Sequence, residues 1–195
     1  MRGWVVLAVG LILSACGEKQ PTESDFKAAI NQGFEKAGPV CVPLNKGFPV
    51  TLNQMEQEHG IGRALSALEG AGLFMSAPDG KGRRYEVTDQ GQKFYTEREG
   101  QSIGLTVQKV MHGFICFADM RVEKVTGWNI QPDQSFAVSY TYRLENIAPW
   151  ATAPSVIQAM PRLALWINGA QKAERKTIVK KTANGLDASV TDKEL

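Results

Sequence analysis

Hydrophobic and polar positions alternate most clearly in Ser135–Leu144. Phe136, Val138, Tyr140, Tyr142 and Leu144 fall on one face, and Ala137, Ser139, Thr141 and Arg143 on the other. That period of two predicts a half-buried antiparallel strand. Pro132-Asp133 supplies a turn before it, pairing it with a strand that ends near Trp128. Further strands are expected over 103–110, 113–125 and 172–180. A different period governs the start of the chain. Phe26, Ala29, Ile30 and Phe34 recur at helical spacing, so a helix is expected to begin near Ser24 or Asp25, either of which can cap it, and to stop at Gly38-Pro39. Val40–Pro43 follows as extended chain.

Between 52 and 100 the pattern is helix, strand, turn, strand, helix. Ala64, Leu65, Leu68 and Ala71 share one face of a helix over 63–71, closed by Gly72. Leu73-Phe74-Met75 reads as a strand, and Pro78–Gly82 as a turn. Arg84–Val87 is the returning strand, with Tyr85 and Val87 pointing the same way. Thr88 caps a last helix, against which Phe94 and Tyr95 dock. Pro154 suits the first position of a short helix over 155–160, and Pro161 interrupts it. The pattern changes near 98–102. The fold class expected is therefore α+β: a helical half, 25–100, packed with an antiparallel β-rich half, 101–195, that carries one short helix.

The first residues follow neither pattern. Met-Arg-Gly is followed by ten mostly apolar residues, 4–13, and then by Ser14-Ala15-Cys16-Gly17. Ten residues fall well short of the roughly 20 that span a bilayer. They have the layout of a signal peptide, 1–15. Leu13-Ser14-Ala15-Cys16 resembles the lipobox of bacterial lipoproteins. The resemblance implies cleavage between Ala15 and Cys16 and lipidation of Cys16. Gly17, where an Asp would signal inner-membrane retention, implies an outer-membrane address facing the periplasm. The plainer alternative is an ordinary secretory signal with an incidental Cys. Polar residues 16–24 then form a tether.

Processing would leave 21 Lys+Arg against 20 Asp+Glu, because only Arg2 is lost from the 22 and 20 of the full chain. Near-neutrality offers no electrostatic footprint for nucleic acid. Of the three cysteines, lipidation takes one. Cys41 and Cys116 remain, and in an oxidising compartment a disulfide is the expected state. Two separately buried thiols are the alternative.

The order Leu-Ser-Ala-Leu-Glu-Gly-Ala-Gly-Leu-Phe, turn, Arg-Arg-Tyr-Glu-Val-Thr-Asp-Gln-Gly resembles the second half of a winged helix domain. The resemblance implies a recognition helix ending at Gly72 and a wing at 77–82 flanked by Lys81, Arg83 and Arg84. A solvated hairpin tip is the competing reading of those cations, and a periplasmic address argues against DNA. The whole chain also resembles a group of proteobacterial lipoproteins with no assigned activity. The likeness rests on Cys41, Leu65–Leu73, Arg84–Tyr95, Cys116, Val125–Trp128, Tyr140–Tyr142 and Pro149–Ala151. It implies fold and location only.

Catalytic candidates are few. His59, in a helix-end or loop position, and His112, read as a turn, lack the spacing that couples an acid-base group to a nucleophile. Neither suits a metal site with the cysteines. Gly60-Ile61-Gly62 and Gly80-Lys81-Gly82 lack the context of a phosphate loop. No catalytic, metal or cofactor-binding residue is assigned. Trp128, Tyr140, Tyr142, Trp150 and Trp166 are either core or a recognition surface. The functional expectation is a non-enzymatic binding or scaffolding module of the envelope, held on the membrane by its lipid, with an envelope protein or ligand as partner and no nucleic acid. The alternatives are a periplasmic enzyme or enzyme inhibitor acting on substrates such as peptidoglycan, and, less favoured, a winged-helix DNA-binding regulator.

Overall fold

A computed structural model of the chain describes residues 20–103 and 107–190, so Cys16 and its cleavage site lie outside the described residues. Thr22 starts the first helix, α1 (Glu23–Ala37), by accepting from the Asp25 N–H while the Asp25 carboxylate accepts from the Thr22 N–H at 2.8 Å. This reciprocal cap places the start before the expected Ser24. Gly38, at φ +82°, closes α1 as expected. Strand β1 (Val40–Pro43) follows, and then β2 (Val50–Leu52), α2 (Gln54–Glu58), α3 (Ile61–Gly70), β3 (Phe74–Asp79), β4 (Gly82–Val87) and α4 (Asp89–Gln92). The second half contains β5 (Tyr95–Ile103), β6 (Val107–Ile130), β7 (Phe136–Glu145), a 3₁₀ turn (Pro149–Thr152), α5 (Pro154–Ala159), α6 (Pro161–Gly169), β8 (Glu174–Thr182) and β9 (Gly185–Ser189). The class is α+β, with antiparallel sheets.

β6 is the spine of the larger sheet, whose order is β1-β6-β7-β8-β9 with β5 also on β6. Ile115 pairs with Val42 of β1 and with Tyr95 of β5, so those strands flank opposite edges of β6. Two register shifts, at Val122/Lys124 and Val125/Gly127, bend β6 where it runs beside β7. Helix α1 meets the first of them. Asn31 Oδ1 accepts from the Val122 N–H at 2.8 Å, and Lys27 Nζ donates to the Glu123 carbonyl at 2.9 Å. Two backbone groups of β6 at the bulge are thereby satisfied by one helix. The same helix buries Phe26, Ala29, Ile30 and Phe34 against the sheet. Contact with β9 is close: a Cβ on Gly33 would sit 2.5 Å from Val190 Cγ2 and 2.9 Å from the Ala188 carbonyl oxygen.

A smaller sheet, β2-β4-β3, carries α2 and α3. Its core residues Leu52, Leu65, Leu68, Leu73, Phe74 and Tyr85 are continuous with the main core. Phe48 joins the two, its ring 4.8 Å from Phe74 and 5.7 Å from Tyr95. The Glu97 carboxylate holds this junction by accepting from the Phe48 N–H at 3.1 Å and from the Tyr95 hydroxyl.

Several expectations are corrected. The turn expected over 78–82 shrinks to Gly80-Lys81, because Pro78 and Asp79 pair with Arg83 and Gly82. α4 is a single turn, and Tyr95 opens β5 instead of docking that helix. The break expected at 98–102 is spanned by β5, while β1 and α1 belong to the large-sheet layer. Met111 and His112 are not a turn: β6 runs through both, and His112 pairs with Arg98. Pro161 ends α5 and, at the first position of α6, also begins a helix that the pattern leaves unassigned.

Candidate functional site

Cys41 and Cys116 stand opposite each other in the β1–β6 register and are joined by a disulfide, with Sγ–Sγ 2.07 Å and Cα–Cα 3.8 Å. The bond ties β1 to the spine. Beside it opens a cavity of about 430 Å³, bounded by the end of α1, β1, β5, β6, β7, α6 and β8.

The walls of this cavity follow from strand register. On β7, Val138, Tyr140 and Tyr142 face the helices and are buried. Tyr140 pairs with Arg175 of β8, and cross-strand partners share a face. Arg175 is thus a cation on the core-facing side of the sheet. Its guanidinium lies 4.0 Å from the centre of the Trp166 ring and 5.6 Å from that of Tyr142. Trp166 is held in turn by α6, whose carbonyl at that residue accepts the Tyr142 hydroxyl at 2.9 Å. A second cation, Arg98 of β5, stacks 4.8 Å from the centre of the Phe114 ring. The third, Arg162, comes from the first turn of α6. Phe34, Met120 and Val190 complete much of the apolar wall.

Charge in the lining has one sign. Among the described lining residues, Arg98, Arg162 and Arg175 are accompanied by no Asp or Glu. Among the described residues, none of the three forms an ion pair. Tyr140 stays neutral: burial pushes its hydroxyl up to about 12, with Arg175 pulling weakly the other way. Burial likewise raises Tyr142.

The other sequence candidates lie elsewhere. His59 is the C-cap of α2, and the His112 ring lies over Gly100, where a Cβ would sit 2.4 Å from it. Neither lines the cavity. Cys41 does, but as a disulfide sulfur it has no thiol to offer. Among the described residues no group of three or more His, Cys, Asp or Glu is gathered as for a metal, and no helix is long and apolar enough to cross a membrane. Of the aromatic candidates, Tyr140, Tyr142, Trp150 and Trp166 are buried, whereas Trp128 is 42% exposed. Core and recognition are not exclusive here, since Tyr140 and Trp166 belong to the core and also line the cavity.

Of the cations flanking the hairpin, the two arginines are engaged. Arg83 Nε donates to Ser76 Oγ at 2.5 Å and its head group lies 3.7 Å from Glu69, while Arg84 pairs with Glu86 at 2.8 Å. The side of α3 bearing Arg63, Ser66 and Gly70 faces α5 across a hollow.

The cavity cations are what sequence reading missed. Arg98, Arg162 and Arg175 come from three elements, and no motif links them. Only their placement on shared faces reveals them. Set against family models, curated proteins and solved structures, the chain matches none of them.

Proposed function

We propose that the chain is a non-enzymatic binding module of the bacterial envelope, lipidated at Cys16 and held at the periplasmic face of the outer membrane. The observation that carries the binding half of this reading is the preformed cavity, whose size falls within the roughly 300–1,000 Å³ of small-molecule sites. Its described lining residues include cations and rings but neither a free thiol nor a histidine to drive acid-base or nucleophilic chemistry. The anchoring half rests on the Leu13–Cys16 motif and draws support from the disulfide, since such bonds persist in oxidising compartments.

The unit β2–α2–α3–β3–β4 is read as winged-helix-like, with α3 in the place of a recognition helix. In this reading it serves packing or protein contact. Pairing of Arg83 and Arg84 leaves Arg63 and Lys81 as the cations of this unit without an ion pair among the described residues, and α5 stands across from α3, which is little cationic surface for phosphates.

Mass spectrometry of the membrane-extracted protein tests the anchor. A mature chain beginning at lipidated Cys16 and sedimenting with the outer membrane is expected, and C16A should abolish labelling. Unchanged lipid labelling in C16A would refute it. Crosslinking in intact envelopes, followed by pull-down, then identifies the partner.

A further inference from the structure

We propose that the cavity beside the Cys41–Cys116 disulfide binds a small organic anion, a phosphate or carboxylate carried on an apolar body. Arg98, Arg162 and Arg175 meet the charge, and Trp166, Tyr140 and Phe114 flank the body. The proposal rests on the reading of this cavity as the binding site and names its ligand class.

Placement of Arg175 is the first argument. A strand residue on the core-facing side is ordinarily apolar, and its neighbours across the register and along the strand, Tyr140 and Val179, are buried. A cation there is costly unless a counter-charge or a ring compensates it. Among the described residues the structure supplies rings, Trp166 and Tyr142, but no carboxylate paired with it. Stacking on rings fixes the guanidinium plane, and the N–H groups not engaged by the Tyr142 hydroxyl are left for an acceptor. Arg98 repeats the arrangement on Phe114.

Convergence is the second argument. Three cations from β5, α6 and β8 share one concave surface with no acid among its described lining residues, so that lining carries a positive potential that an anion relieves. Guanidinium groups match phosphate and carboxylate in the two-point geometry that makes charge-assisted hydrogen bonds strong. Bare inorganic anions would leave the aromatic half of the cavity unused, and neutral rings would leave the cations unused. A ligand with both parts uses the whole lining.

The test uses residues 16–195 with C16S so that no lipid is attached, and three probes in calorimetric titration. Naphthyl phosphate carries both parts, naphthol only the body, and inorganic phosphate only the charge. Naphthyl phosphate is expected to bind at least about tenfold more tightly than either partial probe, with affinity falling as salt rises. R162Q, which alters an exposed side chain, should weaken it by about tenfold, and R98Q with R162Q by more. R175K separates charge from stacking: it keeps the cation, loses the planar fork, and should also weaken binding. Circular dichroism checks that each variant is folded.

No binding of naphthyl phosphate at millimolar concentration to the folded chain would overturn the ligand class, as would affinity unchanged in the R98Q/R162Q variant or equal affinity for naphthol. Lipidation and fractionation are measured separately, so failure here leaves the anchor standing, and the reverse also holds. Binding of any partner captured in the envelope at this cavity, displaced by no anionic probe, would retain the binding module and reject the anion. Co-sedimentation with phosphatidylglycerol vesicles, lost in the same arginine variants, would assign the anion to a lipid headgroup. Probe binding without vesicle binding would assign it to a soluble ligand.

Discussion

Replacing Asn31 with alanine tests whether α1 is needed to complete the bulged spine of the sheet. Asn31 Oδ1 lies 2.8 Å from the Val122 nitrogen, and Val122 is fully buried. Val122 borders the register shift that skips Glu123, and the asparagine is the acceptor of its N–H. Losing that acceptor leaves a buried donor unsatisfied, at a cost of about 1–3 kcal/mol. Alanine returns about 0.5 kcal/mol through its better helix propensity. The net destabilisation expected for N31A is therefore about 0.5–2.5 kcal/mol. N31D keeps an oxygen in place and should retain most of the stability. Q32A, at an exposed neighbouring position, should show only the propensity gain. Urea unfolding followed by circular dichroism gives the three values, with equal m required for comparison. Amide exchange at Val122 is an independent readout and should accelerate in N31A. If N31A is as stable as the parent, or if Val122 stays equally protected, the capping argument is wrong.

Other expectations follow from the same coordinates. A Cβ on Gly91 would lie 2.0 Å from the Leu73 carbonyl oxygen, a backbone atom that cannot swing away, so G91A should cost at least about 2 kcal/mol in urea unfolding; a change within about 0.5 would refute the contact. The Cys41–Cys116 bond closes a loop with sequence separation 75, and its removal in C41S/C116S should cost about 4.5 kcal/mol by chain entropy. Unreduced, denatured protein without its lipidated N-terminus should then show neither thiol free in a thiol count. Glu97 accepts from Tyr95 and from the Phe48 N–H, which hold its carboxyl below the usual glutamate range. A depressed folded pKa means that its contribution is complete above the unfolded value, about 4.3, and is lost as pH falls through the folded value. E97Q should accordingly flatten the acid limb of stability against pH, and an unchanged slope would count against that role.

Legibility of the fold followed the strength of each local period. β7 alternates in sequence from Phe136 to Leu144, and α1 repeats its apolar face from Phe26 to Phe34, about two and a half turns, so both are where pattern places them. β6 defeated the same reasoning because its bulges at Glu123 and Thr126 shift the period, and the small Gly113 and polar His112 imitate a turn. α6 was hidden by Pro161, which breaks a preceding helix and equally suits the first position of a new one. β9, with Gly185-Leu186-Asp187-Ala188-Ser189, has little apolar alternation and is held by its pairing with β8. Tertiary context decided these elements.

The candidate site was illegible for a related reason. Pairing of Cys41 with Cys116 can be reasoned from counting cysteines, because one covalent partner is chosen from very few. Arginines offer no such economy, and nothing in the neighbourhood of Arg98, Arg162 or Arg175 separates them from solvated ones. Register does. Once Arg175 is opposite Tyr140, it shares the face that α1 and α6 cover, and Trp166 is there to receive it. The disulfide contributes to the same geometry, because Cys41 is itself part of the cavity wall and β1 is tied to β6 through it. An oxidising compartment therefore bears on more than stability: reduction would free β1 from the spine at the point where it walls the cavity. Anion binding should weaken on reduction under conditions where the rest of the sheet remains folded, as monitored by amide exchange on β7. Affinity that survives reduction unchanged would separate the cavity from the disulfide and remove the physical link between the proposed address and the proposed ligand.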